Sequence, residues 1–133
     1  MWQHAKAWET GDAALFERII HPDIVFAYPG GRLGKPEIMG SFNDFARDFK
    51  DTRVYVHKIL IQGDEVAVEW QFASTERQSG KRSAVSDGII GRVKEGRFIL
   101  WKEYFDPSVA SQQADGGLAL EEGQEPFPWP AKN

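Results

Sequence analysis

The sequence has no cysteine among its 133 residues. This excludes disulfides, thiolate metal sites and a cysteine nucleophile, and it makes the cytoplasm the natural expectation for location. No run approaches the roughly 20 apolar residues of a membrane span. The start, Met1-Trp2-Gln3-His4-Ala5-Lys6-Ala7-Trp8, lacks the apolar stretch of a secretion signal. Positive charge is not in excess: 16 Lys and Arg stand against 20 Asp and Glu, a net charge of −4. A nucleic-acid partner needs a dense basic surface, so that class is set aside. The three histidines show no metal-ligand spacing and no Gly-rich phosphate motif is present, so neither a metal nor a cofactor is expected. Gly30-Gly31 and Gly34 fit a loop at the mouth of a cavity.

Aromatic residues, by contrast, are abundant: nine Phe, five Trp and three Tyr make up 13% of the chain. Two readings of this stand side by side, a pocket lined by rings and a ring-rich core.

Residues 2–10 read as a helix stopped by Gly11, and Asp12 is an N-cap for a second helix, Ala13 to Ile20. His21-Pro22-Asp23 ends that helix, with His21 in a capping role. A strand from Ile24 to Tyr28 follows. Pro36 and Glu37 then open a third helix, to about Lys50, whose Ile38, Phe42, Phe45 and Phe49 fall on one face. From Thr52 the period changes to two. Strands over 53–61, 65–75, 83–93 and 97–106, joined by short turns, make an antiparallel meander. Residues 107–120 look irregular or weakly helical, and a proline-rich extended tail follows. Phe127 and Trp129 are expected to dock that tail, since each buries considerable apolar area. Helices followed by a meander give an α+β fold. A long twisted sheet curls, so the N-terminal helices pack inside a strongly curved antiparallel sheet, a cone-shaped α+β barrel around a small cavity.

Strand parity sorts the side chains. Val66, Val68, Trp70 and Phe72 share a face, as do Ile99, Trp101, Glu103 and Phe105. Val85, Asp87, Ile89 and Val93 form a third set, and Ile24, Phe26 and Tyr28 a fourth. Asp87 and Glu103 are thus carboxyls set among apolar residues. Burial without a partner raises a carboxyl pKa and suits it to acid or base work near neutral pH. The other reading is that each is satisfied by Arg92, Lys102, a backbone amide or a buried water. His4 lies one turn before Trp8, so it either faces the cavity or sits on the helix surface. His57 alternates with both Tyr55 and Ile59, and its face is ambiguous. The walls are expected from Trp8, Phe26, Phe42, Phe45, Trp70, Phe72, Trp101 and Phe105.

Four segments in order carry a resemblance: Ala7-Trp8-Glu9-Thr10-Gly11-Asp12, Pro22-Asp23-Ile24-Val25-Phe26, Gly34-Lys35-Pro36-Glu37-Ile38, and Glu95 through Asp106. They resemble the nuclear transport factor 2-like superfamily, which includes SnoaL-like polyketide cyclases, ketosteroid isomerases and limonene epoxide hydrolases. The resemblance implies one domain over residues 1–107, with 108–133 as an extended tail of the same domain. It implies no single function, because the fold hosts enzymes and non-catalytic domains. The isomerase general base falls at Tyr28, its helix tyrosine near His4, and its neutral oxyanion-hole aspartate near Asp87. The epoxide hydrolase Asp-Arg-Asp set falls at Trp70, Phe72 and Glu103, so only the last carboxylate is kept. The candidate catalytic residues are therefore Glu103, Asp87, Tyr28 and His4. The expected function is that of a cofactor-free lyase, isomerase or hydrolase acting on a small apolar molecule. The alternatives are a ligand-binding or accessory domain without chemistry, and an interaction domain with a filled interior. The family's habit and the apolar Val25 and Ala27 on the outer sheet face point to a homodimer.

Overall fold

Glycine and aspartate set the helix boundaries at the start of the chain. Helix α1, Trp2–Thr10, ends at Gly11, whose φ of 69° is a left-handed cap and whose N–H donates to the Ala7 carbonyl. The Asp12 side chain then accepts from the Leu15 N–H at 3.0 Å and starts α2, Ala13–Ile19. The computed structural model describes residues 1–117, and the proposed docking of the tail through Phe127 and Trp129 lies outside them.

Strand β1 runs Ile20–Tyr28, four residues longer than expected, and β2 is Gly31–Leu33. Proline cannot donate to a ladder, yet Pro22 is accommodated because the register of β1 against its neighbour shifts between Ile20 and Val25. Helix α3, Lys35–Asp48, carries Pro36 in its first turn and buries Ile38 and Phe42. It stops sooner than the spacing of rings predicts. Phe49 opens β3, Phe49–Gln62, and the chain turns there through Asp51 at φ 52°. The other strands are β4, Glu65–Glu76, β5, Arg82–Lys94, and β6, Arg97–Tyr104. Glu95 and Gly96 both have positive φ, 55° and 76°, as a two-residue hairpin turn of matching twist requires.

The sheet order is β2-β1-β6-β5-β4-β3. The meander from β3 to β6 is antiparallel as expected, while β1 lies parallel to β6 with Phe26 opposite Trp101. The curved sheet does not close on itself, so the architecture is an open α+β cone with β2 and β3 at its edges. Its concave face holds the core, in which Ala7, Phe16, Phe42, Trp70, Ile89 and Trp101 are almost wholly buried.

Two bulges move residues off the face that simple alternation assigns them. The β3 register shifts between Val56 and Lys58, so Tyr55 and Ile59 fall on opposite faces. This explains why His57 has no clear parity; its Nε2 lies 2.6 Å from Gln71 Oε1. A second shift between Arg92 and Val93 leaves Val93 exposed and brings Phe98, not Ile99, into the core beside Trp101.

Residues 108–114, read as irregular or weakly helical at the start of the 108–133 tail, form helix α4, Ser108–Ala114. It covers the stretch of β5 that extends beyond the end of β6. There the Gln113 carboxamide acts as a one-residue strand, accepting from Ala84 N–H at 2.8 Å and donating to Ala84 C=O at 2.9 Å. Gln113→Ala should lower stability by about 1–3 kcal/mol, since it strands a buried amide and carbonyl. Urea denaturation measures it, and a loss under about 0.5 kcal/mol would show that α4 does not depend on this contact.

Candidate functional site

Between the concave face, α1, α3 and α4 lies a cavity of about 350 Å³. Trp8 enters from α1, Phe45 from α3, Phe26 from β1, Trp70 and Phe72 from β4, and Phe105 from the segment after β6. These six of the eight expected wall residues line it. Phe42 does not: it stacks on Phe16 at 4.4 Å and 11° beneath the α-helices. Trp101 lies one layer deeper, fully buried behind the wall. Phe49, Ser74, Ser83, Val85, Asp106, Pro107 and Ala110 also line the cavity. Phe49 was hidden by its apparent place on a helix. The two serines continue the parity of Phe72 and Val85, a signal available to anyone extending the alternation past the last apolar residue.

The two carboxyls stand together at one end. In the ladder Trp70 pairs with Asp87 and Ile89 with Glu103, which makes Asp87 and Glu103 diagonal neighbours on adjacent strands. Each accepts one indole N–H: Asp87 Oδ2 from Trp70 Nε1 at 2.9 Å, and Glu103 Oε1 from Trp101 Nε1 at 2.7 Å. Asp87 Oδ1 has no partner among the described residues. The cations proposed as alternatives are elsewhere. Arg92 pairs with Glu65 at 2.8 Å on the outer face, and Lys102 lies 5.8 Å from the Tyr104 ring. Burial pushes the Asp87 carboxyl well above the usual range; the adjacent Glu103 adds to this, and the Trp70 N–H opposes it. Burial also raises Glu103, to about 7, against the pull of the Trp101 N–H. Asp87 is the more enclosed, at 7% exposure, while Glu103 keeps part of its surface open. Burial thus disfavours the charged form of both carboxyls, with Asp87 the more enclosed of the two.

The other two candidates are not at the cavity. His4 is completely buried, with its ring stacked on Trp101 at 3.7 Å and 3°, and neither nitrogen has a hydrogen-bond partner among the described residues. It faces inward, as one reading had it, but into the ring-packed core below the wall. Burial holds its pKa well below the ordinary value, so it is neutral. Tyr28 is 37% exposed. Its ring covers Gly31 at the β1–β2 turn, where a Cβ would collide with it. Strand pairing with β6 ends at Ala27, so Tyr28 leaves the concave face that parity assigned to it. His21 accepts the Asp23 N–H at 3.0 Å, a local turn contact and not a helix cap. Among the described residues no group of three or more His, Asp or Glu side chains could hold a metal ion. Nor is any helix there long and apolar enough to cross a membrane.

Residues 3–101 match the sequence model of the SnoaL-like domain. The chain belongs to the SnoaL-like family. No curated protein sequence matches this SnoaL-like chain. Among solved structures it is similar to an epoxide hydrolase of the limonene type from M. tuberculosis, with a TM-score of 0.76 at 20% identity over 87% of this chain and 86% of that one. It is also similar to a protein of ketosteroid isomerase-like fold from Catenulispora acidiphila in complex with trimethylamine, at 0.77 and 17% over 86% and 90%. A third, IdmH from Streptomyces antibioticus, a proposed polyketide cyclase, gives 0.74 and 21% over 86% and 94%. At these identities the likeness establishes the SnoaL-like fold and leaves function to the site itself.

Proposed function

We propose that this SnoaL-like protein is a cofactor-free acid/base catalyst that moves a proton on a small, neutral, mostly apolar substrate. One observation carries the reading: Asp87 and Glu103 lie side by side at the end of a ring-lined cavity with no Lys, Arg or His among the described residues of its lining. Two buried carboxyls without a cation share protons, and their roles separate by environment. Glu103, raised to about 7 and partly open, exchanges the proton. Asp87, held neutral, supplies an O–H that stabilises charge developing on a substrate oxygen. The rings exclude water and strengthen both effects. Isomerisation, elimination and epoxide opening all use this pairing. Its simplest assay is deuterium exchange at the carbon beside the carbonyl of β-tetralone, a two-ring ketone, followed by NMR. The wild type should accelerate exchange with a pH profile rising through about 7.

The second reading is binding without turnover. It is favoured by the same lining, because aromatic faces and the three carboxyls Asp87, Glu103 and Asp106 also suit an organic cation. Saturable trimethylamine binding together with no exchange on β-tetralone would select it.

Two copies of the chain are proposed to pair through the convex face of the sheet. Leu60, Ile90 and Tyr104 are 60%, 41% and 56% exposed there, around a groove floored by Gly88. This is a larger apolar patch than Val25 and Ala27, which are half-buried. Light scattering at micromolar concentration should give a dimer, and Tyr104→Glu should shift it to a 15.0 kDa monomer. A monomeric wild type would end the idea.

A further inference from the structure

The cavity has a second polar end. Ser74 on β4 and Ser83 on β5 are direct cross-strand partners, and both line it. Ser74 is buried, at 4% exposure, yet neither hydroxyl hydrogen-bonds to any other described residue. Buried hydroxyls are ordinarily paired, because an unpaired one forgoes its hydration. Two hydroxyls side by side, one on a buried residue and one on a half-buried one, open to a cavity and bonded to no other described residue, are poised for a ligand. Four residue steps along β5 lead from Ser83 to Asp87, which at ~3.3 Å per residue sets the two polar ends roughly 13 Å apart. Phe72, Val85 and Phe45 fill the interval. Ser83 and Phe49 also border a groove that reaches the surface beside α4, so the serines mark the outer end of the site.

We propose that Ser74 and Ser83 form a specificity subsite for a neutral oxygen, a carbonyl or hydroxyl, carried on the end of the ligand remote from the carboxyls. The inference deepens the functional reading above, since it takes the cavity as a ligand site. A serine hydroxyl both donates and accepts, so the pair serves a carbonyl or a hydroxyl alike. Asp87, Glu103 and Asp106 are the ionisable groups among the described lining residues, which disfavours an anion inside the cavity; Lys81 and Arg82 stand outside it, in the groove beyond Ser83. Size agrees: a dry cavity of about 150 Å³ takes one benzene, so about 350 Å³ admits two rings and the atoms that join them. The ligand class is a rod of two or so rings with an oxygen at each end.

The probes are trans-stilbenes, one with a phenol at each end and one with a single phenol, titrated by tryptophan fluorescence. The wild type should bind the two-ended compound about fivefold or more tightly, the scale of one net hydrogen bond. Ser74→Ala/Ser83→Ala should bring the ratio down to about twofold, which the probe's end-to-end symmetry supplies at ~RT ln 2. Affinity for the single phenol should stay unchanged, and that also shows that the variant is folded. Ser83→Ala alone, at the less buried position, should give an intermediate ratio. A wild-type ratio of about two, a ratio that survives the double substitution, or failure of both stilbenes to bind overturns the subsite. Absence of exchange on β-tetralone would overturn catalysis and leave this ratio untouched, so the two failures are distinguishable.

Discussion

Replacing Glu103 by glutamine should lower β-tetralone exchange by about 100-fold or more, the usual scale for loss of one general acid or base. Glutamine keeps the shape and still offers an oxygen to Trp101 Nε1, which Glu103 now receives at 2.7 Å. Ligand affinity should therefore change little, and the loss should fall on turnover. The remaining activity should lose the inflection near 7 that Glu103 imposes. Stability gives an independent reading, with a definite sign. A carboxyl whose pKa is higher folded than unfolded stabilises the fold in its protonated form. That contribution is complete below the unfolded value of 4.5 and disappears as pH rises through about 7. At ~1.36 kcal/mol per unit this amounts to about 3 kcal/mol. The wild type should melt at a lower temperature at pH 8 than at pH 6.5, and Glu103→Gln should flatten much of that fall. Unchanged exchange in the variant would remove Glu103 from catalysis. A variant several kcal/mol less stable at both pH values would instead mark Glu103 as structural.

Alternation was enough to bring Asp87 and Glu103 together on paper, because β5 and β6 keep an unbroken register from Gly88–Tyr104 to Arg92–Leu100. The same reasoning failed one step beyond that stretch. The shift after Arg92 exchanges Ile99 for Phe98, and no residue type there announces it. The ring face of α3 was legible from spacing, yet the helix end was not. Phe45 and Phe49 stack at 4.6 Å and 9° although one belongs to the helix and the other to the strand after it, so the tertiary contact imitates helical periodicity. The parallel neighbour of β1 was not legible either, because pairing between strands far apart in the chain leaves no local signal. His4 shows a different limit. Its place one turn from Trp8 leaves both the cavity and the helix surface open to it, and depth decides the rest: Trp8 reaches the cavity while His4 stops at Trp101.

His4→Phe should stabilise the protein, and by more in acid than in base. The imidazole is packed as a hydrocarbon ring would be, flat on Trp101 at 3.7 Å and edge-on to Phe16 and Phe98 at 5.4 and 5.7 Å. Phenylalanine keeps those contacts and removes two nitrogens that have no partner among the described residues. The gain from removing unsatisfied polar atoms is about 1–3 kcal/mol. Protonation adds to it at low pH. Burial holds the folded His4 pKa well below its ordinary 6.5, so below that value the unfolded chain takes a proton that the folded chain refuses. The stability His4 contributes is thus present above 6.5 and lost as pH falls, by ~1.36 kcal/mol per unit until the folded value is reached. The gain at pH 5 should therefore exceed the gain at pH 8. The sign is opposite to that of Asp87 and Glu103, whose raised values make acid favourable to the fold. In the wild type the two effects partly cancel between about pH 4.5 and 6.5. His4→Phe should expose the carboxyl slope there, and Glu103→Gln should expose the histidine slope. Calorimetry of both variants across that range tests the pair of claims together. A His4→Phe protein less stable than wild type at pH 5 would show that the imidazole nitrogens are satisfied, and that His4 is held in the core by a polar contact rather than by its ring.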